Sequence, residues 1–356
     1  MAEHPLNWRR AVKTAIASAC RVPATLVLPR VQPYIVGYHR VVEDFPSAAR
    51  TTLPAMLVSS RMLESQLDWM GRNFRFVTLD EVGARLEQGE PFNEPVAAVT
   101  FDDGYQDVYE QACPILLRKG IPATFFVVTD LVGQASWQVF DRLYRVLKHS
   151  FPEWAEPSQR SREALAAVGV TGDAAIEIGG APGPEAATGQ ILNRTAQADV
   201  LDVIEALESW RGRLDEGIPP LLTWDTIRDM RRSGFTIASH TRTHVWLPRE
   251  APERVATELA GSRLELERQL GEPVAHFAYP AGEFTGDVVA AVQVAGYRFG
   301  YTICGHRDRR RPLLTVPREL LWEHSATDGR GRFSPAQMSC HIHGLFSGMN
   351  GCVQTH

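Results

Sequence analysis

Short apolar runs alternate with longer segments of helical period along most of the chain. Each run ends in polar or charged residues, as strands of a parallel sheet do, and is followed by apolar residues at helical spacing. The predicted strands are Tyr34–Tyr38, Val96–Phe101, Ala123–Val128, Phe235–Ala238, His276–Tyr279 and Phe299–Ile303. The predicted helices are Ser60–Asn73, Tyr105–Lys119, Thr223–Ser233, Pro252–Leu270 and Gly286–Ala295. This alternation predicts an α/β barrel, whose chemistry lies at the C-terminal ends of the strands.

One long stretch interrupts the alternation. Residues 149–219 are rich in Ala, Glu and Gly and contain a helical segment at Thr195–Leu214. We interpret them as a mainly helical insertion into a barrel over residues 31–330, with an N-terminal helical extension over 1–30 and a C-terminal tail over 331–356. The insertion is either a structural addition or a lid over the substrate. Lids need flexible connections of the kind that Gly and Pro provide here, but most insertions are not lids.

Composition narrows the class of protein. With 356 residues, 44% of them hydrophobic, the chain can bury a sizeable core. Its formal net charge of -5 gives no basic surface for nucleic acid, which we exclude as a partner. The five cysteines are an odd number without a Cys-x-x-Cys pair, which argues against a disulfide framework and a thiolate zinc site.

The N-terminal segment favours a cytoplasmic protein. It is basic and then apolar, but Arg21 and Pro23 interrupt the apolar stretch before it reaches the length typical of a signal peptide. No run approaches the roughly 18–20 apolar residues that span a bilayer. An amphipathic helix at Trp8–Cys20 would allow peripheral association with the inner membrane. Export of the protein is the alternative.

Two adjacent carboxylates follow the predicted strand Val96–Phe101. Asp102 and Asp103 precede Gly104, whose backbone freedom allows both side chains to reach one mouth of the barrel. Two like charges at close range need a cation, and a metal bound by one carboxylate would leave the other ionised and able to accept a proton from water. The alternative is a solvated turn, since Asp and Gly favour turns.

Two histidines four residues apart follow a later strand. If this segment forms a helical turn, His240 and His244 share one face of it, and neutral imidazole is a common ligand of zinc and related ions. One such histidine could be a hydrogen-bonded core residue, but the pair favours metal binding. With Asp103 they would supply three ligands and leave a position for water, as in catalytic sites. Asp102 as general base then predicts hydrolysis of an amide or ester.

Three segments with these residues resemble a known family. TFDDGY at Thr100–Tyr105, SHTRTH at Ser239–His244 and FAYPAG at Phe277–Gly282 are similar to the first three motifs of the polysaccharide deacetylases. These are the NodB-like members of carbohydrate esterase family 4. The resemblance covers most of residues 34–320 except the insertion, and it implies a distorted (β/α)7 barrel.

The resemblance also implies a reaction and roles for residues. Asp102 would be the base, and the ligands of one divalent metal ion would be Asp103, His240 and His244. We expect zinc, with cobalt, nickel or manganese as alternatives, because an Asp/His/His set accommodates them all. The implied partner is an acetylated carbohydrate, and the reaction removes acetyl groups from N-acetylated amino sugars in a glycan or glycan precursor. The alternatives are an O-acetyl esterase or non-sugar amidase with the same site, and a glycan-binding protein without catalysis.

The third motif departs from the common Arg-x-Pro-Tyr form of the family. Ala278 and Ala281 occupy the positions of its arginine and its aromatic residue. We expect Arg318 to replace the arginine that holds the base, because a guanidinium can bind a carboxylate through two hydrogen bonds. The backbone N–H of Ala281 can still donate to an oxyanion. Together with YHRV at Tyr38–Val41, the motif resembles a permuted subgroup in which His39 would be the general acid.

Further candidates surround these motifs. The late histidines His341 and His343 are the alternative source of the general acid, and a packed core histidine is the alternative for His39. Tyr105, Trp246 and Tyr279 lie in or beside the motifs and are predicted to contact the sugar, although most aromatic residues in a barrel are core.

Overall fold

A barrel of parallel strands forms the centre of the protein. The computed structural model describes residues 32–150, 181, 183–212, 217–303 and 305–343. The strands are β1 Tyr34–Tyr38, β2 Arg40–Val42, β3 Leu57–Ser59, β4 Arg75–Phe76, β5 Val96–Phe101, β6 Ala123–Val127, β7 Thr236–Ser239, β8 His276–Ala278, β9 Phe299–Thr302, β10 Val316–Pro317 and β11 Glu319–Leu320. The main sheet has the order β10-β9-β8-β7-β6-β5-β1-β11, with β4 beside β5, and all pairings between its strands are parallel.

One short stretch of chain closes the barrel. β10 and β11 lie at opposite ends of the strand order, where β10 pairs with β9 and β11 pairs with β1. Only Arg318 separates β10 from β11 in the sequence, so residues 316–320 act as one strand with a neighbour on each side. With β10 and β11 taken together, the ring has seven members. The predicted distorted (β/α)7 barrel is therefore confirmed.

Helices connect the strands. The α-helices are α1 Phe45–Ala48, α2 Ser60–Gly71, α3 Leu79–Gln88, α4 Cys113–Lys119, α5 Val139–Ser150, α6 Pro184–Arg194, α7 Gln197–Arg211, α8 Trp224–Arg232, α9 Pro252–Leu270, α10 Gly286–Val294 and α11 Pro335–Ile342. Local signals set several ends. The side chains of Thr223 and Thr226 form a capping box at the start of α8, and Gly120 ends α4 with a left-handed φ of 63°.

Most predicted elements exist with small changes at their ends. β1, β5 and α9 have the predicted bounds, whereas the other predicted strands and helices differ by a few residues. The predicted helix Tyr105–Lys119 is the exception, because Tyr105 pairs with Leu221 in an isolated bridge and a π-helical turn at Val108–Ala112 precedes α4. Helix α3 and the short strands β2, β3, β4, β10 and β11 were not predicted, and strands of two or three residues show no period.

The inner face of the barrel combines small residues with several large rings, among them Phe126 and Tyr301. Ile35, Ala98, Phe126, Ala238 and Ala278 belong to one buried cluster, and alternate residues of the same strands belong to another. Strand side chains alternate between two faces, so the two clusters lie inside and outside the ring. Alanines on the inner face leave room for polar side chains that enter the barrel from its mouth.

The helical insertion has a core of its own. Helices α5, α6 and α7 bury Phe140, Leu147, Ile191, Ile204 and other apolar side chains against one another. Arg142 of α5 also binds Glu208 of α7 through hydrogen bonds of 2.9 and 2.7 Å. The predicted segment Thr195–Leu214 corresponds to α7, whereas α5 begins ten residues before the predicted boundary at residue 149.

Some expectations fall outside the described residues. These are the extension over 1–30, its segment Trp8–Cys20, residues 151–180 of the insertion, and the tail beyond 343. Within the described ranges, no helix is both long enough and apolar enough to cross a bilayer.

The connection between β9 and β10 generates a prediction about stability. A Cβ on Gly300 would overlap the backbone carbonyl of Leu314, which cannot move away as a side chain can. Gly300→Ala is therefore expected to lower the free energy of unfolding by about 1–3 kcal/mol, measured by urea denaturation. Gly286→Ala is the control, because a Cβ there meets nothing within 4 Å and alanine favours the start of α10. Equal losses in the two variants would contradict this packing.

Candidate metal centre and active site

The motif residues meet at one mouth of the barrel because each follows the C-terminal end of a strand. His39 follows β1, Asp102 and Asp103 follow β5, and His240 follows β7. The hydrogen bonds between neighbouring strands continue into these residues. The N–H of Asp102 donates to the carbonyl oxygen of Tyr38 at 2.9 Å, and the N–H of His240 donates to that of Val127 at 2.9 Å. The strand pairing therefore holds the start of each motif in a fixed position.

Asp103, His240 and His244 form a compact, buried set of potential ligands. Their ligand atoms all lie within 4.8 Å of one another. The Nε2 atoms of His240 and His244 lie 3.5 and 3.3 Å from Asp103 Oδ1. Among the described residues, neither carboxylate oxygen of Asp103 has a hydrogen-bond partner. Because a buried carboxylate without partners is costly, these three side chains fit a shared divalent cation.

The chemistry of His240 also fits a metal ligand. Its Nδ1 donates to the carbonyl oxygen of Ala278 at 2.8 Å, which leaves Nε2 with its lone pair facing Asp103. Such a bond fixes the orientation and tautomer of a metal-binding histidine. Burial lowers the pKa of His240 to about 4, so the ring is neutral at pH 7, as metal binding requires.

The backbone around these residues is strained. Among the described residues, the non-glycine positions with positive φ are Asp103 (75°), Thr241 (66°), His244 (60°) and Ala281 (54°). All of them lie in the three motifs, and each such conformation costs about 1–3 kcal/mol unless the surroundings enforce it. His240 and His244 do not share a helical turn, the condition under which their spacing would place them on one face. Residues 240–244 form no helix, and left-handed residues bring the two rings together instead.

Arg318 holds the carboxylate of Asp102. Its Nη1 and Nη2 donate to Oδ1 and Oδ2 of Asp102, each at 2.7 Å, and Nη1 also donates to Thr100 Oγ1 at 3.0 Å. The guanidinium carbon lies 4.9 Å from the centre of the Phe126 ring. The Arg318 side chain is fully buried. Arg318 was predicted to replace the missing arginine of the third motif, and the two-bond contact with Asp102 is present.

Neighbouring side chains lower the pKa of both Asp102 and Asp103. Burial alone would raise the pKa of Asp102, but the positive charge of Arg318 has the opposite effect, and that pKa lies below its ordinary value. Burial also opposes ionisation of Asp103, yet the neighbouring histidines lower its pKa to about 2. Both groups are therefore ionised at neutral pH.

The proposed acid and oxyanion donor lie at the same mouth. His39 is partly exposed. Tyr38 pairs with Phe101, so His39 and Asp102 follow neighbouring strands at the same level of the sheet. Ala281 lies in the turn Pro280–Gly282 that follows β8, beside β7 in the sheet. The chemical roles assigned to His39 and Ala281 stay predictions.

The aromatic candidates separate into two groups. Tyr105 is 0% exposed, and its hydroxyl donates to Asp141 at 2.5 Å. Tyr279 is also buried, and its hydroxyl donates to Leu314 O at 2.9 Å. The prediction that these two rings contact a sugar does not agree with their burial, since both belong to the core. Trp246 is partly exposed and lines a pocket together with His244.

The insertion contacts the site directly, which the sequence did not indicate. Gln138, just before α5, donates from Nε2 to the carbonyl oxygen of Asp103 at 3.1 Å. The ring of Phe140 lies 5.1 Å from that of His244. Gln197, at the start of α7, donates from Nε2 to Thr243 O at 2.7 Å. These residues carry no local motif, because their contacts depend on how the insertion folds back onto the barrel.

Comparison with known proteins agrees with this geometry. A family model described as polysaccharide deacetylase matches residues 89–153 and 182–300, just over half of the chain. The unmatched residues between the two ranges lie in the predicted insertion. The Streptococcus pyogenes deacetylase PplD, solved in complex with acetate, has a TM-score of 0.55 at 19% identity and covers 87% of this chain and 97% of its own. That likeness shows a common fold.

Two curated relatives match smaller parts. YxkH of Bacillus subtilis is 20% identical over 249 residues, which are 70% of this chain and 59% of YxkH. A poly-beta-1,6-N-acetyl-D-glucosamine N-deacetylase of Staphylococcus aureus is 34% identical over 87 residues, which are 24% of this chain and 30% of that protein. The chain thus matches about three fifths of the first relative and less than a third of the second.

The buried pair of Arg318 and Asp102 generates a second prediction. Arg318→Met would leave the carboxylate buried without a counter-charge, so we expect the free energy of unfolding to fall by about 3–5 kcal/mol. Adding Asp102→Asn removes the unpaired charge and should restore much of the loss. Urea denaturation of both single variants and the double variant measures the coupling. A single Arg318→Met variant as stable as the parent would show that the pair does not stabilise the fold.

Proposed function

We propose that this chain, which belongs to the polysaccharide deacetylase family, is a metal-dependent hydrolase that removes acetyl groups from N-acetylated amino sugars in a glycan or glycan precursor. One observation carries the proposal. A buried Asp103, His240 and His244 set lies beside an ionised Asp102 at a single barrel mouth. The amino-sugar substrate is further supported by the name of the Staphylococcus aureus relative, which acts on an N-acetylglucosamine polymer.

The metal in this proposal is one divalent ion, and we favour zinc over cobalt, nickel or manganese. Its ligands would be Asp103, His240 and His244, whose neutral imidazoles and carboxylate suit these ions. When bound, such an ion supplies Lewis acidity, which lowers the pKa of water toward about 7 and polarises a carbonyl group.

The proposed roles of the other residues follow from their charge. Asp102, kept ionised by Arg318, accepts a proton from the attacking water, whose oxygen bonds to the acetyl carbon. The backbone N–H of Ala281 stabilises the oxygen that becomes negative. The C–N bond then breaks, His39 protonates the leaving nitrogen, and acetate and a free amine are released. Arg318 itself transfers no proton, because a guanidinium stays charged at any working pH.

The first test of this function separates metal binding from catalysis. Asp102→Asn is expected to lower acetate release at least ~100-fold while metal content is unchanged, because it removes the base and no ligand. His244→Ala should lose metal and activity together. Acetate release is measured on N-acetylglucosamine oligomers, an O-acetylated glycan and a non-sugar acetamide, with elemental analysis of the protein.

Asp287→Asn is the matched control, since Asp287 is an exposed carboxylate on α10. A fully active Asp102→Asn variant would contradict the assignment of the base. Bound metal without acetate from any of the substrates would favour a glycan-binding protein instead. Release from the ester alone would favour an O-acetyl esterase.

The second test concerns the general acid. His39→Ala is expected to lower turnover by about 10²–10⁴-fold with metal content intact, because it removes the proton donor and leaves all three ligands in place. His341→Gln is the control. His341 is buried on α11, and its Nδ1 lies 2.8 Å from Glu319 Oε1. This contact gives His341 a structural role. Near-normal turnover in His39→Ala would remove His39 from the mechanism, and a large loss only in His341→Gln would favour the late histidine.

A further inference from the structure

Glu258, on α9, is a buried acidic residue outside the three motifs. Its side chain is 0% exposed. Oε2 accepts hydrogen bonds from the backbone N–H groups of Arg242 at 2.8 Å and Thr243 at 2.9 Å. Oε1 accepts from the hydroxyl of Thr243 at 2.8 Å and lies 2.8 Å from Nη2 of Arg254. These three hydrogen bonds are all made with the loop between the two histidine ligands, and the ion pair with Arg254 lies within α9.

That loop has a conformation that its own sequence does not favour. Thr241 and His244, which flank the two residues held by Glu258, both have a left-handed φ, of 66° and 60°. Within the loop, the N–H of His244 donates to Thr241 Oγ1 at 2.9 Å. A threonine and a histidine in this region cost about 1–3 kcal/mol each, so partners outside the loop must stabilise it.

A carboxylate is well suited to this task. Backbone N–H groups that donate to an ionised oxygen form bonds roughly twice as strong as neutral ones. A buried carboxylate without partners would itself be costly, but here both oxygens are satisfied and Arg254 supplies the counter-charge. Glu258 is therefore attached to the loop by three hydrogen bonds, and its position is fixed by helix α9.

We propose that Glu258 is a positioning residue of the metal centre. Its carboxylate holds residues 241–244 in the conformation that directs Nε2 of His240 and His244 toward Asp103. The inference rests on the proposed metal-binding function of that set. It assigns to α9 the support of the metal ligands, as well as its ordinary place in the outer layer of the barrel.

The test uses metal affinity instead of turnover. Glu258→Gln has the same size but removes the charge and replaces one acceptor oxygen with an NH₂ group. At the position of Oε2 that group would face the N–H of both Arg242 and Thr243, and at the position of Oε1 it would face Nη2 of Arg254. Apo protein titrated with Co²⁺ or Zn²⁺ against a chelator is expected to show a Kd about 10–100-fold weaker than the parent, in the range found when outer partners of metal ligands are removed. The Co²⁺ absorption spectrum should change shape, which a general loss of stability would not produce in the folded fraction.

Two further variants make the result specific. Glu258→Asp keeps the charge on a shorter chain and should recover part of the affinity. Glu265→Gln on the same helix is the matched control, because the hydrogen bonds of the Glu265 side chain, among the residues that the structure describes, go to Arg268 and Gln269 and not to the backbone of the ligand loop. Its Kd and Co²⁺ spectrum should equal those of the parent. If Glu258→Gln does not fold, Glu258→Asp carries the test, with a weaker Kd than the parent expected.

The outcomes distinguish this inference from the proposed function. An unchanged Kd and Co²⁺ spectrum in Glu258→Gln would overturn the positioning role. A parent protein that binds metal but releases no acetate would overturn the deacetylase function alone. A parent protein that binds no metal, or a His244→Ala variant that binds it equally well, would overturn both.

Discussion

The ionised state of Asp102 depends on one buried guanidinium. The carboxylate of Asp102 is buried at the mouth of the barrel and is no longer solvated by water. Arg318 compensates for the lost solvation with two hydrogen bonds of 2.7 Å and a full positive charge. The same residue separates β10 from β11 in the stretch that closes the ring. Closure of the barrel and preparation of the base are therefore achieved by the same five residues, 316–320.

The core of the site was predictable because its chemistry is local. Asp102, Asp103, His240 and His244 each directly follow a short apolar run or lie within five residues of one, and such runs followed by polar residues can be located in the sequence. What the pattern could not provide was backbone conformation. A four-residue spacing favours a helical face, yet the loop takes two left-handed residues instead, and only the surrounding contacts stabilise that choice.

Contacts between distant segments were harder to predict. Arg318 was identified because the family motif lacks its arginine, whereas the strands around it are two residues long and have no period of their own. Gln138 and Glu258 belong to no motif, and each acts on the backbone of a ligand loop through a polar atom. The burial of Tyr105 also depends on a partner, Asp141, supplied by the insertion. These relations exist only in the folded chain.

The order of the strands along the chain has a consequence during synthesis on the ribosome. Asp102 and Arg318 are separated by 216 residues. At ~5–20 residues per second, Arg318 is made roughly 10–40 s after Asp102. Until then Asp102 has no counter-charge. The sheet that the first strands form is not yet closed, so both of its edge strands lack a partner. The nascent chain must therefore be kept from pairing with other chains for more than half of its translation.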